Sequence, residues 1–85
     1  MHYSINYLQE AHSRSSKNKP GLTLSKNCGC FYCLKIYDAK QIINWTEEEE
    51  TALCFYCGVD TVIGDSTGFP VEDPYFLEEM NSRYF

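Results

Sequence analysis

Two short cysteine pairs carry the strongest chemistry in this 85-residue chain. Cys30-Phe31-Tyr32-Cys33 is followed by twenty residues and then by Cys54-Phe55-Tyr56-Cys57-Gly58. Two residues between paired cysteines let one tight turn aim both sulfurs at a single point, and Gly58 supplies the permissive backbone of such a knuckle. Two facing knuckles give Zn²⁺ a closed tetrahedron with Zn–S bonds of about 2.3 Å. Thiolates favour zinc over harder cations. A rubredoxin-type iron site, an iron–sulfur cluster and paired disulfides are the alternatives. A redox dithiol would need one pair only, in a thioredoxin-like setting that is missing here. Cys30, Cys33, Cys54 and Cys57 are therefore the expected ligands of one Zn²⁺. Four thiolates leave no open coordination position, so the ion is expected to be structural. Its binding free energy would be on the order of 10 kcal/mol, more than a core this small can supply.

Other residues near this pattern have plainer roles. Cys28, in Cys28-Gly29-Cys30, reads as a free thiol beside the knuckle; an alternative ligand or a redox-sensitive thiol are the other readings. His2 and His12 lie outside the cluster and are not expected to be ligands. The doubled Cys-Phe-Tyr-Cys puts four aromatics at the metal, where base stacking is one reading and shielding of the site is the preferred one. Asp60, Asp65, Glu72 and Asp73 could gather at one surface for acid–base work, but no catalytic set stands out.

The elements that position the cysteines follow from capping and periodicity. Ser4 as N-cap, with Ile5, Leu8, Ala11 and His12 at helical spacing, predicts a helix over 4–14. Residues 13–27 read as a polar linker with a Pro20-Gly21 turn and a short strand at Leu22 and Leu24. Residues 1–27 are thus expected to be an appended helix and linker, and 28–85 the zinc domain. Leu34–Tyr37 alternates like a strand. Asp38 to Gln41 forms a capping box that should open a helix over 39–44, burying Ile42, Ile43 and Trp45. Glu47–Glu50 is an exposed charge run. Thr51–Leu53 and Val59–Ile63 are expected strands, and Gly64–Gly68 a loop. Asp73-Pro74 starts a final helix with Phe76, Leu77, Met80 and Tyr84 on one face.

Length and charge bound the function. A chain this short buries only about 60–65% of its unfolded surface and usually needs a staple. No apolar run approaches the roughly 18 residues of a membrane span. Met1–Asn6 lacks a basic start and an apolar stretch, so no signal peptide is expected and a cytoplasmic, reducing location is. The net charge is −5, divided as +4 over residues 1–40 and −9 over 41–85. That balance disfavours non-specific nucleic-acid binding and suits a basic protein partner.

Cys28–Ile36, Thr51–Asp65, Gly68-Phe69-Pro70 and Phe76–Met80 together resemble a group of small bacterial proteins labelled only "cytoplasmic protein". The resemblance runs from Cys28 to Phe85. It implies a bacterial, cytoplasmic, zinc-bound protein and no particular activity. The second knuckle is similar to the general zinc-ribbon knuckle, with Phe55 where proline usually stands. The expected architecture is a small α+β zinc domain of zinc-ribbon or treble-clef type, with short β-hairpins, a C-terminal helix and an added N-terminal helix. The expected function is a non-enzymatic, zinc-stabilised protein-interaction module. One concrete form is an immunity or inhibitor protein that masks a basic toxin. The alternatives are a nucleic-acid-binding zinc ribbon using Arg14, Lys17, Lys19 and Lys26, and a small enzyme using the surface carboxylates.

Overall fold

A computed structural model describes residues 3–46 and 48–85; His2 and Glu47 lie outside the described residues. The element order is α1 (Ile5–Ser13), α2 (Lys19–Thr23), β1 (Asn27–Cys30), β2 (Ile36–Asp38), β3 (Val62–Gly64) and α3 (Pro74–Tyr84). Single 3₁₀ turns follow β2 at Ala39–Gln41 and β3 at Asp65–Thr67. The strands form one antiparallel sheet in the order β2-β1-β3. The architecture is small α+β. Among the described residues, no helix is long and apolar enough to cross a membrane.

The central strand divides two cores. Side chains along a strand alternate between faces. Cys28 and Cys30 face a cluster with Leu22, Tyr37, Ala39, Ile42, Ala52, Cys54 and Val62. Gly29 points the other way. A Cβ there would lie 2.6 Å from the Val71 carbonyl oxygen and 3.2 Å from the Leu77 methyls, so glycine lets α3 approach the sheet. Ile63, opposite Gly29, joins Leu8, Ala11, Phe31, Val71, Phe76, Leu77 and Met80 in the second core.

Both long helices start as their caps dictate. Ser4 Oγ accepts the Tyr7 N–H at 3.1 Å, and Asp73 Oδ1 accepts the Tyr75 N–H at 2.9 Å. Phe76, Leu77 and Met80 are fully buried, and Tyr84 is half-buried. α1 is not an appended arm. Leu8 and Ala11 pack with α3 in the second core. Tyr3 ties the start of the segment down, its N–H donating to Glu79 Oε1 and its hydroxyl to Asp73 Oδ2. Ile5, expected on the buried stripe, is 57% exposed.

The polar stretch 13–27 holds a helix where a linker and short strand were expected. Pro20 stands at the start of α2, where its missing N–H costs nothing. Leu22 is buried in the first core, while Leu24 is exposed. Asn18 precedes α2 without capping it. Its carboxamide is buried, donating to the Val62 carbonyl at 2.8 Å and accepting the Ala52 N–H at 3.0 Å. A tertiary bridge thus outcompetes the local cap.

Three further elements are shorter than expected. Asp38 caps as anticipated, accepting the Lys40 N–H at 2.8 Å. The helix ends after one 3₁₀ turn, because Ile42 turns extended and drops into the first core. Ile43 is therefore exposed rather than buried, and Trp45 is half-buried. Thr51–Leu53 contributes one bridge, Ala52 to Trp45, instead of a strand. Strand β3 begins at Val62, since the Val59 carbonyl serves the second knuckle and Thr61 reaches across to the first.

Candidate metal centre

The two Cys-x-x-Cys segments fold into near-identical knuckles. In the first, the Leu34 N–H donates to the Cys30 carbonyl at 2.9 Å, and the Cys30 N–H donates to the Lys35 carbonyl at 3.0 Å. In the second, the Gly58 N–H donates to the Cys54 carbonyl at 2.9 Å, and the Cys54 N–H donates to the Val59 carbonyl at 2.9 Å. The turn requires positive φ at its fifth position, directly after the second cysteine. Gly58 supplies it at +77°, and Leu34 takes the matching position at +65° at a strain cost of about 1–2 kcal/mol.

The knuckles bring all four sequence-predicted sulfurs together. Cys30, Cys33, Cys54 and Cys57 place their Sγ atoms within 4.8 Å of one another. The Cys30–Cys57 and Cys33–Cys54 sulfur separations are both 3.7 Å. A regular tetrahedron with metal–sulfur bonds of about 2.3 Å has edges of about 3.8 Å. The donor set and its spacing therefore fit a metal ion. Every cysteine in the chain is free of disulfides.

Tyr37 and Thr61 support the site, and the sequence reading missed both. Tyr37 O–H donates to Cys54 Sγ at 3.3 Å and accepts the Phe55 N–H at 3.1 Å. Thr61 Oγ1 lies 3.0 Å from Cys30 Sγ, and its carbonyl accepts the Phe31 N–H at 3.1 Å. Each stands four residues after one knuckle and serves the first cysteine of the other. The available signal was the 24-residue spacing from Cys30 to Cys54, which also separates Tyr37 from Thr61. Backbone N–H groups of Tyr32 and Cys33 point at Cys30 Sγ, and that of Tyr56 points at Cys54 Sγ. Such partners orient the ligands and stabilise negative charge on sulfur.

Burial works against ionisation of three of these thiols, Cys33, Cys54 and Cys57. Burial pushes Cys33 up to about 11 and Cys57 higher still. Burial also opposes ionisation of Cys54, yet hydrogen bonds from Tyr37 and from the Cys57 and Tyr56 amides outweigh it and lower the thiol to about 7. Burial and the neighbouring Cys54 hold the Tyr37 hydroxyl protonated, which keeps it a donor. A divalent ion held by these sulfurs would favour their thiolate forms.

Cys28 is fully buried on β1, opposite Tyr37, and outside the four-sulfur group. Burial raises its thiol to about 12. His12 stacks on Tyr84, with ring centroids 4.1 Å apart. The aromatic shielding expected at the knuckles holds only for Phe31, which is buried; Tyr32, Phe55 and Tyr56 are 43–50% exposed.

The remaining candidates are dispersed. Asp65 accepts the N–H groups of Lys26 and Asn27 at 3.0 and 2.9 Å, and Glu72 accepts from the Asn27 side chain. Asp73 caps α3, and Asp60 is exposed. Arg14 pairs with Glu10 at 3.8 Å. Lys17 and Lys19 share the walls of a cavity of about 310 Å³ with Glu49 and Glu50, so they do not form a purely basic surface. No family model matches the chain, and neither does any curated protein or solved structure.

Proposed function

We propose that Cys30, Cys33, Cys54 and Cys57 hold one structural Zn²⁺ in a ribbon- or treble-clef-like pair of knuckles, and that the domain is a protein-interaction module of the bacterial cytoplasm. One observation carries the metal assignment. Four sulfurs converge at tetrahedral spacing, and hydrogen-bond donors are already aimed at two of them. Softness of the donors favours zinc. The ion clamps the segment after β1 to the segment before β3, reinforcing a core in which Cys30 and Cys54 already pack together.

The interaction role rests on charge and exposure. Glu48, Glu49, Glu50 and Asp60 are solvent-exposed on a chain of net charge −5, which suits a basic partner such as a toxin held inactive. Of the carboxylates considered for catalysis, Asp73 caps a helix and Asp65 and Glu72 brace the start of β1, and the mixed charge around Lys17 and Lys19 weighs against the nucleic-acid reading.

Native mass spectrometry of gently purified protein tests the metal. One zinc per chain, four thiols protected from alkylation and any basic partner in the same spectrum are expected. Iron, or two disulfides on a metal-free chain, would overturn the assignment. Charge reversal at Glu48–Glu50 and Asp60 is expected to slow association with the co-purifying partner at low salt. Unchanged association rates would remove the basic-partner reading while leaving the metal site standing.

A further inference from the structure

The two knuckles have the same backbone but different surroundings. The phenylalanine of the first is covered from inside the chain, while its tyrosine, Tyr32, stays 47% exposed. Phe31 is buried among His12, Tyr84 and Phe85, with ring centroids 5.9–6.1 Å away, and Phe85 packs on Tyr32 at 4.8 Å. Asn81 of α3 completes the cover. Its side-chain amide donates to the carbonyls of both Phe31 and Tyr32, at 3.0 and 3.1 Å.

The second knuckle lacks that cover over its phenylalanine: Phe55 is 43% exposed where Phe31 is 1%, and Tyr56 at 50% is as open as Tyr32. Among the described residues, the Phe55 and Tyr56 carbonyls, counterparts of those held by Asn81, accept no hydrogen bond. Tyr37 packs edge-on against Tyr56 at 5.1 Å and more distantly against Phe55 at 6.5 Å. Lys35 Nζ lies 5.5 Å from the Tyr56 ring centroid, with no carboxylate paired to it among the described residues.

We propose that the Cys54–Gly58 knuckle is the docking site for an amphipathic helix of a partner protein, seated as α3 is seated on the first knuckle. This proposal rests on the interaction-module reading and names its contact surface. The helix supplies an apolar or aromatic side chain over Phe55 and Tyr56. A carboxamide one turn away engages their carbonyls, and a carboxylate meets Lys35. Lys35 sets the charge at this contact alone; the acidic surface elsewhere governs encounter with the rest of the partner. The mode is helix-on-surface recognition with a charged rim.

The chain's own α3 sequence supplies the probe. A peptide of residues 72–85, stapled between positions 75 and 79, keeps Glu78 and Asn81 free. It is titrated into ¹⁵N-labelled, zinc-loaded full-length protein. Amide shifts are expected at 54–58 and at Lys35, saturating below about 1 mM. Asn81→Ala in the peptide is expected to weaken binding about tenfold, as for one lost amide bond pair. Lys35→Glu in the protein is expected to weaken it as well, with recovery when the peptide carries Glu78→Lys.

No shift at 54–58 by about 1 mM peptide, or shifts elsewhere only, overturns the proposal. So does a thymidine decamer that moves these amides when the peptide does not, because the rings would then be a base-stacking platform. Movement of the same amides on simple dilution also overturns it, since a second copy would be the occupant. Loss of native dispersion in the zinc-loaded protein would instead refute the metal reading beneath it, and the first-knuckle amides report this separately.

Discussion

Tyr37→Phe isolates the support that its hydroxyl gives to the four-sulfur site. The ring stays in place, because Tyr37 is 93% buried and its change removes a single oxygen. The hydroxyl loses two partners, Cys54 Sγ at 3.3 Å and the Phe55 N–H at 3.1 Å. The Phe55 amide belongs to a half-exposed residue and can turn to water, so its loss adds little. The bond to a metal-bound thiolate is charge-assisted, worth about 1.5–3 kcal/mol. At about 1.4 kcal/mol per tenfold, zinc affinity should fall roughly 10- to 100-fold. Competition against a calibrated chelating dye at pH 7.5 measures it. Tyr32→Phe, which removes a hydroxyl from the half-exposed tyrosine within the first knuckle, is the control and should leave affinity unchanged. Thr61→Val should weaken binding in the same direction, because Thr61 Oγ1 stands 3.0 Å from Cys30 Sγ. Unchanged zinc affinity in Tyr37→Phe would refute the claim that this hydroxyl stabilises charge on sulfur.

Gly29→Ala should cost about 2–3 kcal/mol, because the new methyl meets the Val71 carbonyl oxygen at 2.6 Å on the central strand; a fall in Tm of roughly 10–20 °C is expected by calorimetry. Asn18→Ala strands the Val62 carbonyl and the Ala52 N–H inside the protein, so urea unfolding should show a loss of about 2–3 kcal/mol despite the residue lying in a polar stretch. The Cys28 thiol is raised from 9.0 to about 12 by burial. Its folded state holds the proton more tightly than the unfolded state. The resulting stability is therefore full below pH 9 and lost as pH rises through 12. Denaturant titrations of the native protein and Cys28→Ala should diverge across that window, and parallel curves would contradict the burial argument.

Spacing and capping alone were enough for several features. Ser4 and Asp73 marked the two long helices, since an N-cap satisfies its donors from side chains next to it in sequence. The paired cysteines marked the sulfur cluster for a similar reason: two intervening residues settle where both sulfurs of one knuckle point. The meeting of the two knuckles was inferred from a chemical need, that of an ion for four ligands, and the fold places them together.

The rest depended on contacts distant in sequence. α2 was hidden because Asn18 and Leu22 gain their roles from Val62, Ala52 and the first core, not from neighbours. Ile42 and Ile43 are equally apolar, and only the direction of the chain after one 3₁₀ turn buries the first and exposes the second. Tyr37 and Thr61 are ordinary strand residues by type. They become supports for sulfur because the sheet carries each across to the opposite knuckle. Identical Cys-Phe-Tyr-Cys segments diverge for the same reason. Phe31 has α3 above it and Phe55 does not, a difference set by where an element more than forty residues away from Phe31 packs. Local order follows from bonds between residues close in the chain. Burial, and with it the distinction between a core aromatic and an available one, is a property of what tertiary packing brings alongside.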